Sequence, residues 1–139
     1  MRQNTKQTFI RFAPVLLVAT IFFLLFGANV RADEMVSCKY LQSKGKKISL
    51  QLDIGSPPPT MLILIQKLPE GISITKSSPQ AKKYNYQKRE AKWLMKNLTP
   101  GTTLFTMELD KEITADQLSG EIRYKSPDSR RMKVIPINP

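Results

Sequence analysis

Between Lys47 and Ile54 the chain reads "KISLQLDI", and apolar and polar residues alternate without a break. Ile48, Leu50, Leu52 and Ile54 fall on one side, while Ser49, Gln51 and Asp53 fall on the other. A period of two is that of a β-strand with one buried face, and it is incompatible with a helix. The alternation returns in "ISITK", in "TLFTMEL" (Phe105, Met107 and Leu109 against Thr106 and Glu108), in "EIRYKS" and in "RMKVIPIN". "TMLILIQKL" is apolar on both faces, as in a central strand covered on each side, and "MVSCKYLQ" supplies a first strand. The stops are equally clear. "GSPPP" cannot continue a ladder because proline has no N–H to donate, and "PEG" (Pro69 to Gly71) and "PDSR" are turn sequences. About eight short strands at such spacing predict an all-β sandwich or barrel. One helical turn is expected at "ITADQL", where Gln117 follows Thr114 in capping-box spacing.

The stretch "AKKYNYQKREAKWLMKNL", from Ala81 to Leu98, reads two ways. As a helix, Tyr84, Gln87, Ala91, Leu94 and Leu98 are compatible with one face. Such a basic amphipathic helix points to a membrane surface or nucleic acid. As a strand, Ala91, Trp93 and Met95 share a face, with Lys92 and Lys96 opposite. Composition leaves both open.

The motifs around it carry a resemblance. "LILIQKLPEGISITKSSP", "AKWLMKNLTPGTTLFTMEL" and "GEIRYKS" are similar to the immunoglobulin-like β-sandwich domains repeated in bacterial surface proteins, of the DUF11 kind. Leu68, Pro69 and Gly71 match the family's "LP-x-G" turn. Trp93, Leu98, Pro100 and Gly101 match its "W-x-L-x-x-L-x-P-G" strand and turn, with Met95 in the place of the aliphatic residue. The likeness runs from about Thr60 to Ser126. The chain departs from the family in holding a single copy, in its basic charge and in the Lys/Arg-rich insert before Trp93. The resemblance implies an immunoglobulin-like antiparallel β-sandwich of about seven to eight strands, with Trp93 on a strand and a Pro-Gly turn after it. Trp93, Leu98, Phe105 and Met107 are then expected in the core, and Pro69, Gly71, Pro100 and Gly101 in turns. Independently, Pro100 presets φ and Gly101 permits a positive one, and an indole is large enough to span two sheets about 10 Å apart.

Ahead of the strands, Arg2, Lys6 and Arg11 precede "APVLLVATIFFLLFGA", Ala13 to Ala28, which carries no charge. "VRA" then ends in small Ala32. A positive end, an apolar run and a small-residue site form the pattern of a secretory signal peptide. The expected division is therefore 1–32 as signal peptide, cleaved after Ala32, and 33–139 as the sandwich domain. The rival reading is an uncleaved anchor over residues 12–30, although the apolar run falls short of the ~20 residues a spanning helix usually needs. Either way the domain is expected outside the cytoplasm, periplasmic or extracellular.

The whole chain carries a formal charge of +11. Arg2, Lys6, Arg11 and Arg31 belong to the leader, which leaves +7 on the domain. That balance favours anionic surroundings. Catalytic chemistry has few means here. The chain has no histidine and one cysteine, Cys38, which excludes histidine-based triads, histidine metal sites and thiolate clusters. No serine lies in a G-x-S-x-G or S-x-x-K motif. Asp110, Glu112, Thr114, Asp116 and Glu121 have EF-hand spacing, but Ala115 stands where the loop needs glycine. No enzyme activity, metal or cofactor is expected.

What remains is binding. The first expectation is a non-enzymatic structural or interaction module of the cell envelope, meeting an envelope or extracellular protein through a sheet edge or its loops. The alternative is a polyanion binder for anionic lipid, acidic polysaccharide or nucleic acid. It would use the cluster Lys82, Lys83, Tyr84, Tyr86, Lys88, Arg89 and Lys92, whose cations meet phosphate or carboxylate while tyrosines stack. A solvated loop that only keeps the domain soluble accounts for the same residues.

Overall fold

The computed structural model describes residues 34–139. The leader and the cleavage site after Ala32 lie outside the described residues. The described chain is all-β, with one 3-10 turn as its helical element. Nine strands form: β1 (Val36–Gln42), β2 (Gly45–Ile54), β3 (Met61–Lys67), β4 (Ile74–Ser78), β5 (Lys83–Asn85), β6 (Glu90–Lys96), β7 (Gly101–Ile113), β8 (Ser119–Lys125) and β9 (Met132–Ile137). That is one or two more than expected, because the basic insert contributes β5. They make two antiparallel sheets, in the orders β1-β2-β7-β4 and β5-β6-β3-β8-β9.

The inner faces of both sheets share one core, a sandwich-like arrangement. From the four-stranded sheet come Ile48, Leu50, Leu52, Phe105 and Met107. From the five-stranded sheet come Leu62, Leu64, Ala91, Trp93 and Ile122. The period-two reading of residues 48–54 holds residue by residue, since register pairs Ile48 with Met107 and Leu50 with Phe105 on the buried side. Trp93 meets Phe105 edge to face across the gap, with ring centroids 5.7 Å apart. Its indole N–H donates to Pro79 O at 2.8 Å, so the polar end of the ring is satisfied. Leu98, expected in the core, is half-buried in the connection after β6 and packs against the core from its margin.

The turns carry the chemistry expected of them: Gly71 has φ +72° and Gly101 φ +142°, with no Cβ to strain. The "TPG" turn does not form a hairpin. It joins β6 of one sheet to β7 of the other, and the chain changes sheet in this way five times, also at β2–β3, β3–β4, β4–β5 and β7–β8. At the last of these, Ala115–Gln117 form the 3-10 turn, and Gln117 Oε1 accepts from the Thr114 N–H at 3.0 Å. The EF-hand spacing is not a loop here: Asp110 and Glu112 lie on β7 and Glu121 on β8.

The two sides of the sandwich are built differently. At one side β1 adjoins β9. Tyr40 reaches across from β1 to donate to Gln66 Oε1 of β3 at 2.7 Å. Gln66 is wholly buried and donates in turn to Lys67 O and Ser119 O, at 2.9 and 3.0 Å. At the other side stand β4 and β5, the free edges of the two sheets.

Candidate binding surfaces

The Lys82–Lys92 segment is a β-hairpin and not an open loop: β5 pairs with β6, and residues 86–89 make the turn. The Asn85 carboxamide oxygen closes it by accepting the Lys88 N–H at 3.0 Å. Strand geometry then separates the cluster's side chains. Lys83 lies opposite Lys92 on the outer face, whereas Tyr84 lies opposite Ala91 and turns inward, half-buried against the core. Burial holds the Tyr84 phenol above its ordinary pKa. Tyr86 is 79 % exposed and meets Tyr84 edge to face at 4.6 Å. Lys88 and Arg89 sit in the turn and Lys82 precedes β5, all exposed. Two of these cations have carboxylate partners, Arg89 with Glu70 at 3.7 Å and Lys92 with Glu90 at 3.2 Å. The seven residues are therefore one hairpin but not one patch.

A larger basic surface becomes visible in the strand register. Residues directly opposite one another in a sheet project to the same side. On the outer face of the five-stranded sheet one row runs Lys83, Lys92, Ile65, Glu121, Pro136. The next runs Leu94, Ile63, Arg123, Val134, and the third Lys96, Met61, Lys125, Met132. Lys67 and Glu90 pair at the end of the same face. Six cations (Lys67, Lys83, Lys92, Lys96, Arg123, Lys125) thus surround an apolar strip, against the carboxylates Glu90 and Glu121. Glu121 is itself held by Arg123, whose Nε donates to it at 2.7 Å. Val134 is 55 % exposed on this face. Ile65 is 2 % exposed although it points outward, on the central strand between Lys92 and Glu121. The outer face of the four-stranded sheet is unlike this. It carries Lys39, Lys47 and Lys76 with Asp53 and Glu108 among serines, threonines and Gln51, and a single exposed apolar side chain on its two central strands, Leu104 opposite Gln51. The Thr102 hydroxyl donates to Asp53 at 2.6 Å and, with the Gln51 amide, holds that carboxyl below its usual range.

Lys96, Arg123, Lys125, Val134 and Met132 were missed by sequence reasoning, which looked for cations close together in the chain. Alternation placed Lys96 opposite the Ala91, Trp93 and Met95 face, but in "RMKVIPIN" it gives the apolar Met132 and Val134 no reason to face outward; only the register puts three strands' worth side by side. Arg130 and Arg131 precede β9, next to the Lys125–Met132 pair. They lie at the far end of strands roughly 20 Å long from Lys88 and Arg89.

A second feature is a groove along the open side. A cleft of about 450 Å³ is lined by the consecutive residues Ser73 to Ser77 and by Tyr84 and Tyr86. It continues past the tyrosines as a similar cleft beside Gly71, Gln87 and Arg89. Its lining mixes Ile72, Ile74 and Ala81 with serines, Thr75 and the two tyrosines, and contains no acid–base pair. Elsewhere, burial, reinforced by Asp53, pushes the half-buried Cys38 thiol up to about 12, so it is a protonated packing group at neutral pH. Among the described residues no cluster of histidine, cysteine or carboxylates has the makings of a metal site.

No family model, curated protein or solved structure matches the chain.

Proposed function

We propose that this chain is a non-enzymatic binding module of the immunoglobulin-like sandwich kind, working outside the cytoplasm, that holds an acidic protein partner on the outer face of its five-stranded sheet. The leader pattern of residues 1–32 supports export. The two antiparallel sheets, the "LP-x-G" turn and the tryptophan strand running into "TPG" support the immunoglobulin-like class.

The observation that carries the binding reading is the composition of one face: six cations around Met61, Ile63, Leu94, Val134 and Met132. Protein interfaces combine an apolar centre with a polar, charged rim. A linear polyanion, by contrast, needs phosphate- or carboxylate-binding cations and gains nothing from aliphatic side chains between them. The mixed face therefore favours a folded acidic partner over the polyanion reading of residues 82–92.

Charge reversal tests this. Lys96→Glu with Lys125→Glu should abolish capture of the partner from envelope extract. Lys39→Glu with Lys47→Glu on the other sheet should leave capture intact. Equal capture by both variants would refute the assignment of the face. Retention on heparin or anionic vesicles that tracks the same substitutions, with no protein captured, would move the ligand to the polyanion class.

A further inference from the structure

We propose that the free edge of β4 is a docking strand for a short, extended, acidic peptide segment, which adds to the four-stranded sheet as a fifth strand. The inference rests on the protein-binding reading above and names a second contact for it, on a different surface.

The shape of the groove carries the argument. Successive side chains of a strand point to opposite faces of its sheet. A cleft lined by every residue from Ser73 to Ser77 is therefore walled by the strand's edge and not by either face. β4 is the last strand of its sheet, so that edge has no strand beyond it. Thr75 stands outside the β7 register, between Ile74 opposite Leu109 and Lys76 opposite Glu108. Tyr84 and the exposed Tyr86, with Gln80 and Ala81 of the β4–β5 connection, complete the lining of the cleft. An unpaired edge in a tyrosine-lined cleft leaves a slot in which an incoming backbone finds both hydrogen-bonding groups and flat apolar surface.

The other edges are less suited. β5 has three residues, β9 contains Pro136, which cannot donate, and β1 adjoins β9. Charge selects the occupant. Lys76 lies mid-edge, exposed, and forms no ion pair among the described residues. Lys76 itself lines the cleft, and Arg89 lines its continuation beside Glu70. A second copy pairing edge to edge would bring Lys76 against Lys76, so the charge that attracts a carboxylate segment also disfavours self-association. Five residues and a bulge limit the docked segment to a few residues.

The probe is a synthetic peptide of about ten residues alternating Asp with Val or Thr. It is titrated into the full chain with Trp93 fluorescence and amide hydrogen exchange as readouts. Trp93 is the sole tryptophan, and its N–H is bonded to Pro79 just past β4. Saturable binding is expected, with new amide protection confined to residues 74–78. Lys76→Glu and Tyr86→Ala should each weaken binding by about tenfold or more. The same peptide N-methylated on alternate amides should bind as weakly, because it keeps the charge and loses the ladder. Equal binding of the methylated peptide, protection appearing on another strand, or β4 protection from self-association without peptide would each overturn the proposal. The Lys96→Glu, Lys125→Glu variant should bind the peptide normally. Loss there would assign the peptide to the outer face, sinking the edge proposal while leaving the face intact.

Discussion

Tyr40→Phe removes one oxygen from the side of the sandwich where β1 adjoins β9, and the structure says what that oxygen does. It donates at 2.7 Å to Gln66 Oε1, and Gln66 is wholly buried. Both Gln66 donations run to backbone carbonyls, Lys67 O and Ser119 O, so the amide cannot rotate to find another donor without breaking them. The substitution therefore orphans a buried acceptor, a loss of about 1–3 kcal/mol, while the ring keeps its packing. For a domain near 100 residues each kcal/mol moves Tm by roughly 4–8 °C, so a fall of roughly 5–20 °C is expected in thermal unfolding followed by circular dichroism. Tyr84→Phe is the internal control. Its hydroxyl lies 3.5 Å from Ile72 O, a long contact beside the open groove, and its loss should cost less than about 0.5 kcal/mol. A Tyr40→Phe variant as stable as the native chain, or a Tyr84→Phe variant equally damaged, would refute the reasoning that burial of the acceptor sets the cost. A cycle adding Gln66→Met should show coupling of roughly 0.5–3 kcal/mol.

Gly120→Ala should destabilise by about 1–3 kcal/mol, because its Cβ would meet Ile65 O and Tyr40 Oη at 3.2 Å and Ile137 Cδ1 at 3.3 Å. Combining it with Tyr40→Phe should recover part of the loss in urea unfolding, since one of the clashing atoms is then gone. Tyr40 and Cys38 are both raised to about 12 by burial, from ordinary values of 10.0 and 9.0. Their neutral forms are favoured by folding, so the stability they contribute is full below about pH 9. It declines between there and about pH 12 as the unfolded chain ionises first. Urea midpoints measured across that window should fall, and Cys38→Ala with Tyr40→Phe should flatten the decline. At pH 9 alkylation of Cys38 in the folded chain should be at least ~100-fold slower than in the unfolded chain.

The alternating segments declared themselves because the two-residue repeat is a property of the strand itself: residues 48–54 and 105–109 needed no partner to reveal which side is buried. Composition left the Trp93 segment open and the resemblance decided it correctly as a strand, on which Ala91 and Trp93 are buried and Met95 packs against the core at period two. The hairpin at 83–92 was less legible. Its β5 strand has three residues, too few for a pattern, and its polar composition is that of a loop. Leu98 looked like core because it completes a motif, yet it sits past the end of β6, where the chain is leaving one sheet for the other.

By itself, then, the sequence determined the all-β character, the inward face of most strands and the places where the backbone must turn. Those follow from side-chain alternation, from proline's missing N–H and from glycine's freedom at positive φ, all local properties. The tertiary structure alone decided which strands are neighbours. Five changes of sheet bring β3 between β6 and β8 and leave β4 at an edge. The basic face, the tyrosine-lined groove and the Tyr40–Gln66 latch all come from residues distant in the chain, joined by a register that local alternation does not encode.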